Sequence, residues 1–222
     1  MRRRISQARR VMRAAMLACG LSAGAAAAHP HVFVDGGIDF LFGPDQMLTA
    51  LEVTWLYDEF ETLYTLSALE LSLNAAGGLD EADRLELVRR LSDWPEDFDG
   101  SAHLTQGGEA VALAPPRGLD ARMVDGRLLL TFTRPLVQPV AVGQSPVEAA
   151  FYESTYFFDF TLTNAPRLLG AAPGCAARVT PFDPSAQEAE LLQVLARLGR
   201  EETPETENVG AFFADRITLQ CD

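Results

Sequence analysis

The sequence predicts an α+β protein: an antiparallel two-layer β-sheet domain with an inserted EF-hand-like helical hairpin and a C-terminal helix plus strand. Two observations lead there. Short runs of alternating apolar and polar residues, separated by Gly, Pro, Asn and Asp, dominate the chain, whereas helical spacing is confined to residues 59–92 and 185–199. Strands stand before and after the helical segments without the regular alternation of βαβ units.

The first 28 residues hold six arginines and no acid, and a small apolar run from Ala14 to Ala28 closes in Ala26-Ala27-Ala28. This is the three-part pattern of a secretory signal peptide. The apolar run falls short of the roughly 20 residues a membrane span needs, so the expected product is exported, soluble and periplasmic rather than membrane-embedded. The expected organisation is a signal peptide at 1–28 and a single α+β domain at 29–222, with the helical insertion at about 59–92. Cleavage after Ala28 would make His29 the new amino terminus, with its free amine and imidazole on one residue and a second imidazole at His31. Pro30 has no N–H to deprotonate, which leaves the amine and the imidazoles as donors.

From His31 to Phe42 the residues alternate, with His31, Phe33 and Asp35 on one side and Val32 and Val34 on the other, and Gly36-Gly37 suggests a bulge. Gly43-Pro44-Asp45-Gln46 is a turn, and Leu51, Val53, Trp55 and Tyr57 alternate with Glu52, Thr54, Leu56 and Asp58 as the second strand. Pairing outward from the turn brings Asp58 to the neighbourhood of His31. The expected metal-binding residues are therefore His29, His31, Asp58 and Asp35, an imidazole and carboxylate set suited to zinc, nickel or copper.

Phe60, Leu63, Tyr64, Ala68 and Leu71 mark the apolar face of a first helix, and Asp80 caps a second that runs to Leu91. Between them, Asn74 to Leu79 has the outline of a calcium loop, but aligning its glycine puts Ser72, Asn74 and Ala76 at the first three ligand positions. Ala76 offers no oxygen, so no calcium is expected. Asp93 to Gly100 is read as a solvated acidic loop. Hairpins follow at Ala102–Leu113, turning at Gly107-Gly108, and at Ala121–Phe132, turning at Asp125-Gly126. Val147–Phe151, Tyr156–Leu162 and Cys175–Val179 continue the strands. Ser185 and Glu188 form a capping box for a helix running through Leu198 to Gly199, and Phe212–Cys221 supplies the last strand.

The formal net charge is −13, and the chain past residue 28 carries twelve arginines against 31 acids. That field disfavours nucleic acid and anionic membrane as partners. The chain has no lysine, which removes Schiff-base chemistry and the phosphate-gripping lysine of nucleotide-binding loops. The Gly-x-Ser-x-Gly match at Gly20–Gly24 lies inside the leader and is no nucleophile elbow. Cys175 and Cys221 are the cysteines left after cleavage, and an even count in an oxidising compartment reads as a disulfide.

The His-Pro-His start, Trp55 to Glu59, the helix-loop-helix, Thr155-Tyr156-Phe157, Gly174-Cys175 and the closing Gly210 to Asp215 through Cys221 together resemble domain of unknown function family 1007. Its members are bacterial exported proteins labelled as the periplasmic component of an uncharacterised ABC-type transport system. They often stand beside nickel or cobalt transporters, which implies a role in divalent-metal traffic with a membrane metal transporter as partner. The expected function is a periplasmic accessory or carrier of zinc, nickel, cobalt or copper, with no catalytic residues assigned. Two other readings are a metal-free module docking on a transporter and a copper oxidase built on the amino-terminal histidine.

Overall fold

A computed structural model describes residues 30–222 apart from 96, 97, 99, 144, 197, 199–201 and 203. The expected leader at 1–28, His29, three carboxylates of the acidic loop and the expected helix end at Gly199 lie outside the described residues. Strand β1 (Val32–Phe42) turns into β2 (Met47–Tyr57), which runs into helix α1 (Glu59–Ala68). Helix α2 (Glu81–Leu91) returns the chain to the strands β3 (Ala102–Gln106), β4 (Glu109–Ala110), β5 (Arg117–Val124) and β6 (Arg127–Ala141). Then come β7 (Val147–Phe151), β8 (Phe158–Leu162), β9 (Leu168–Leu169) and β10 (Cys175–Thr180). Helix α3 (Ala186–Leu195) and a 3₁₀ turn at Val209–Phe212 precede β11 (Asp215–Cys221).

The strands form two antiparallel-rich sheets. The first runs β5–β6–β2–β1–β8, with β9 beside β1, and the second runs β10–β11–β7–β3–β4. They share one apolar core, to which Ile38, Phe40, Leu51, Val53, Leu130 and Phe132 come from the first sheet and Val147, Phe151, Ile217 and Leu219 from the second. Both tight hairpins turn where two successive residues take positive φ, at Gly107-Gly108 and Asp125-Gly126, matching the twist of the flanking strands. One feature differs from the expected antiparallel order: β8 and β9 run parallel to β1.

The glycine pair of β1 is not a bulge. Gly36 and Gly37 stand in regular register opposite Trp55 and Thr54, and the register shifts between Leu41 and Phe42 instead, leaving Thr49 unpaired. Close packing explains the glycines: a Cβ at Gly36 would lie 2.3 Å from the Thr54 carbonyl oxygen and 2.8 Å from the Phe151 ring, and one at Gly37 would meet Asn164 at 3.1 Å. At Gly36 the obstacles are backbone and a buried ring, which cannot yield.

Helix α1 also departs from expectation, since its buried residues are Thr62, Thr65 and Leu66 while Phe60, Leu63 and Tyr64 face outward. Asp58 caps it, accepting from the Glu61 N–H at 2.8 Å. Asp80 stands at the start of α2 but makes no cap hydrogen bond; it accepts from the Asn74 amide at 2.9 Å, while the Asn74 oxygen takes the N–H groups of Ala76 and Gly78. The Ser185–Glu188 capping box is present, and α3 stops at Leu195. Cys175 and Cys221 are register partners across β10 and β11 and are bonded.

Gly36→Ala is expected to destabilise by about 1–3 kcal/mol, the range for forcing extra volume into a packed core, with Gly37→Ala costing less; urea unfolding of both variants checks the order, and equal stability with the parent would refute the close-contact reading. Replacing both cysteines by alanine is expected to remove about 4 kcal/mol in the chain-entropy account of a loop this long, read as a lower denaturation midpoint of oxidised protein. Thiol labelling of the unfolded, unreduced parent should find neither cysteine free.

Candidate functional site

The start of β1 carries the residues singled out by the sequence. The His31 N–H donates to the Phe157 carbonyl at 2.9 Å, and the imidazole packs against the Phe157 ring at 4.9 Å between centroids. This fixes the backbone where the chain enters the sheet. Two residues on, the Phe33 N–H donates to Asp58 Oδ2 at 2.9 Å. Asp58 therefore serves two backbone groups at once, one oxygen on the helix cap and the other on β1.

With Val34 opposite Tyr57, the partner of Asp58 is Phe33, two residues inward of the expected His31. One residue of the displacement comes from the extra residue at Thr49 and the other from the turn, where Phe42 pairs with Leu48 rather than Met47, since each residue inserted near the turn slides every pair beyond it. His31 and Asp58 are left as diagonal neighbours, a separation of about 7–8 Å between Cα atoms. Asp35 shares their face but is held elsewhere: Arg127 donates to Asp35 Oδ2 at 2.7 Å while also donating to the carbonyls of Tyr57 and Leu56. Among the described residues no three His, Cys, Asp or Glu side chains converge as a metal site. His103 lies on the other sheet, stacked on Tyr152 at 3.8 Å and 3.1 Å from that residue's carbonyl oxygen.

Further along the same outer face opens a cleft of about 610 Å³ floored by Gly37, Thr54 and Thr131. Asp39 and Glu52 are direct register partners across β1 and β2, and two acids so placed repel. Arg167 resolves the conflict. Its backbone N–H and guanidinium donate to Asp39 at 2.5–2.9 Å, and the guanidinium reaches Glu52 at 3.3 Å. On the far wall Arg84 of α2 pairs with Asp120 of β5. Among the described residues its lining combines threonine hydroxyls with carboxylates and guanidinium groups, so it offers ionic and hydrogen-bonding groups. Sequence reading missed it because only the strand register sets Asp39 against Glu52.

One further carboxylate stands out. Asp159, the register partner of Phe33 on β8, has its pKa raised by burial first and by the charge of Asp215 second. The Tyr156 phenol is pushed up in turn by burial and by Asp159. Asp215 itself accepts from the N–H groups of Leu162 and Phe182 at 2.7 Å each, one on each oxygen, and so ties β11 to the edge of β8.

The chain belongs to the protein family of unknown function DUF1007. The family model matches residues 14–221, nearly the whole chain, and agrees with the resemblance carried by the His-Pro-His start and the closing Gly210 to Cys221 segment. No curated protein matches the sequence.

A folded-state pKa above the unfolded value means the native state holds the Asp159 proton more tightly. Its contribution to stability is then complete below the unfolded pKa, about 3.9, and is lost as pH rises through the folded value. Asp159→Asn is expected to melt above the parent at neutral pH, with the advantage fading toward pH 4. Melting curves of both proteins across that range decide it, since a pH-independent difference would mean that burial of the charge is not the cause.

Proposed function

We propose that this DUF1007 protein is an exported, periplasmic accessory or carrier that binds a divalent transition metal, zinc, nickel, cobalt or copper, in connection with a membrane transporter. The donors are the terminal amine and imidazole of His29, exposed by cleavage after Ala28, together with the imidazole of His31. The observation that supports the reading is the anchoring of His31, whose N–H is bonded to Phe157 one residue before β1 begins. An imidazole held at the mouth of a sheet, two residues from a new amino terminus, gives the two donors of His29 a fixed third.

Asp58 is the carboxylate best suited to complete the set. Each of its oxygens already accepts one backbone N–H, but a carboxylate oxygen has a second lone pair to give. Asp35 would have to leave Arg127 to take part, and it contributes instead by orienting that arginine. Because no three-donor group forms among the described residues, the site depends on His29 itself.

Protein beginning at His29 is expected to bind zinc, nickel and copper in isothermal titration, and His31→Ala should remove most of the affinity. A form retaining one residue before His29 should bind distinctly more weakly, because its amine is displaced. Affinity should fall as pH drops through about 6.5, the reference value for imidazole, with the metal moving the midpoint downward. Equal binding by the cleaved and extended forms, or none by either, would sink the site.

A further inference from the structure

Helix α1 is amphipathic in the inverse sense. Its inward face presents Thr62, 1% exposed, whose hydroxyl accepts the Leu128 N–H at 2.9 Å, together with Thr65 and Leu66. The Thr65 hydroxyl is itself turned back onto Glu61 at 3.3 Å. Its outward face presents Phe60, Leu63 and Tyr64, which are 68%, 64% and 56% exposed. These lie at i, i+3 and i+4, the spacing by which a helix fills an apolar groove. Phe33, 52% exposed on β1, stands beside the helix start, because Asp58 both caps α1 and accepts the Phe33 N–H. Scattered apolar residues on a surface mean little, but aromatic and leucine side chains gathered on one helix face mark an interaction site.

The charge around this face says what covers it. The helix sequence contains Glu59 and Glu61 and no basic residue, and Asp58 and Glu70 bracket it. Arg90 of α2 reaches the Leu69 carbonyl at the end of α1 at 3.4 Å, and both it and Arg89 are bonded to Glu86. A second copy of the chain would bring the same acids together, in a molecule of formal charge −13, and an anionic lipid surface would be repelled likewise. We infer that the outward face of α1, Phe60, Leu63 and Tyr64 with Phe33 beside it, docks a protein partner that offers an apolar groove rimmed by arginine or lysine. Aromatic anchors then fill the groove and the acids set orientation and encounter rate. This surface concerns a partner and stands whether or not His31 holds a metal.

The test places the photo-crosslinking residue p-benzoylphenylalanine at Leu63 of the full chain, in the cell that makes it, with a second form carrying it at the exposed Val137 of β6. The expected result is one protein adduct from position 63 and none from position 137. Mass spectrometry should show the crosslinked partner peptide to be apolar and basic, and added salt should lower the yield. In that labelled chain, Phe60→Ser together with Tyr64→Ser should cut the adduct by about tenfold, as truncated aromatic anchors do. The same pair should leave the melting temperature unchanged, because the side chains are exposed. An adduct with a second copy of the chain, with lipid, with an acidic surface, or equally from both positions overturns the proposal, as does no adduct. A clear loss of melting temperature in the serine pair also overturns it, because the face would then be part of the fold.

Discussion

The two sheets meet closely where β1 crosses Phe151, and the contact exists because residue 36 has no side chain. With the Phe151 ring and the Thr54 carbonyl occupying the space of a Cβ at Gly36, the second sheet can settle onto the middle of the first. Phe151 also packs on Phe160 of β8 at 4.5 Å, so one buried ring bears on two strands of the opposite layer. Strand β1 is the pivot: β2 lies on one side, β8 and β9 on the other. Once Gly36 faces inward, the period of two turns Phe33, Asp35, Gly37 and Asp39 outward together, and every candidate group on that face follows from this choice.

Much of this was legible in the sequence. The alternation of Leu51, Val53, Trp55 and Tyr57 against Glu52, Thr54 and Leu56 gives β2 and its buried side correctly, because a half-buried strand writes its period into the chain. The turns at Gly107-Gly108 and Asp125-Gly126 were equally plain, since the required positive φ selects those residues. The register of β1 on β2 was not legible. It depends on a turn that sets Phe42 against Leu48 and on one extra residue, Thr49, whose hydroxyl bonds back to the Leu41 carbonyl, and nothing in a threonine announces a bulge. The Gly36-Gly37 pair looked like the irregularity, yet a glycine freed for flexibility and a glycine demanded by a neighbouring ring have the same letter. The parallel placement of β8 was hidden for a related reason, since a strand's period does not state its direction.

Helix α1 shows a second limit. Periodicity finds the apolar stripe of a helix but does not say which side of the stripe faces home. Here the decision turns on a backbone donor. The Leu128 N–H, at the first turn of the β5–β6 hairpin, needs an acceptor beneath the helix, and a buried unpaired amide costs more than an exposed aromatic ring. Thr62 supplies the acceptor, which commits the threonine face inward and leaves Phe60, Leu63 and Tyr64 to the outside. The inversion is thus a consequence of hydrogen-bond bookkeeping in the sheet rather than of weak amphipathicity.

The carboxylates of the outer face follow one rule, and it narrows where a cation can be held. Asp39 is taken up by Arg167, Asp35 by Arg127 and Asp58 by two backbone N–H groups, so each has its charge answered by donors of the fold. Asp159 is the departure from this rule, and burial beside Asp215 drives it toward its protonated form instead of toward a ligand. A strongly acidic chain therefore offers little ready-made anionic site on this sheet. For the metal proposed at the mouth of β1, the donors are the nitrogens of His29 and His31, and Asp58 can only add a lone pair to bonds it already makes. That is why the histidines at the expected cleavage point carry the proposal, and why the acidity of the chain bears instead on the partner inferred for α1.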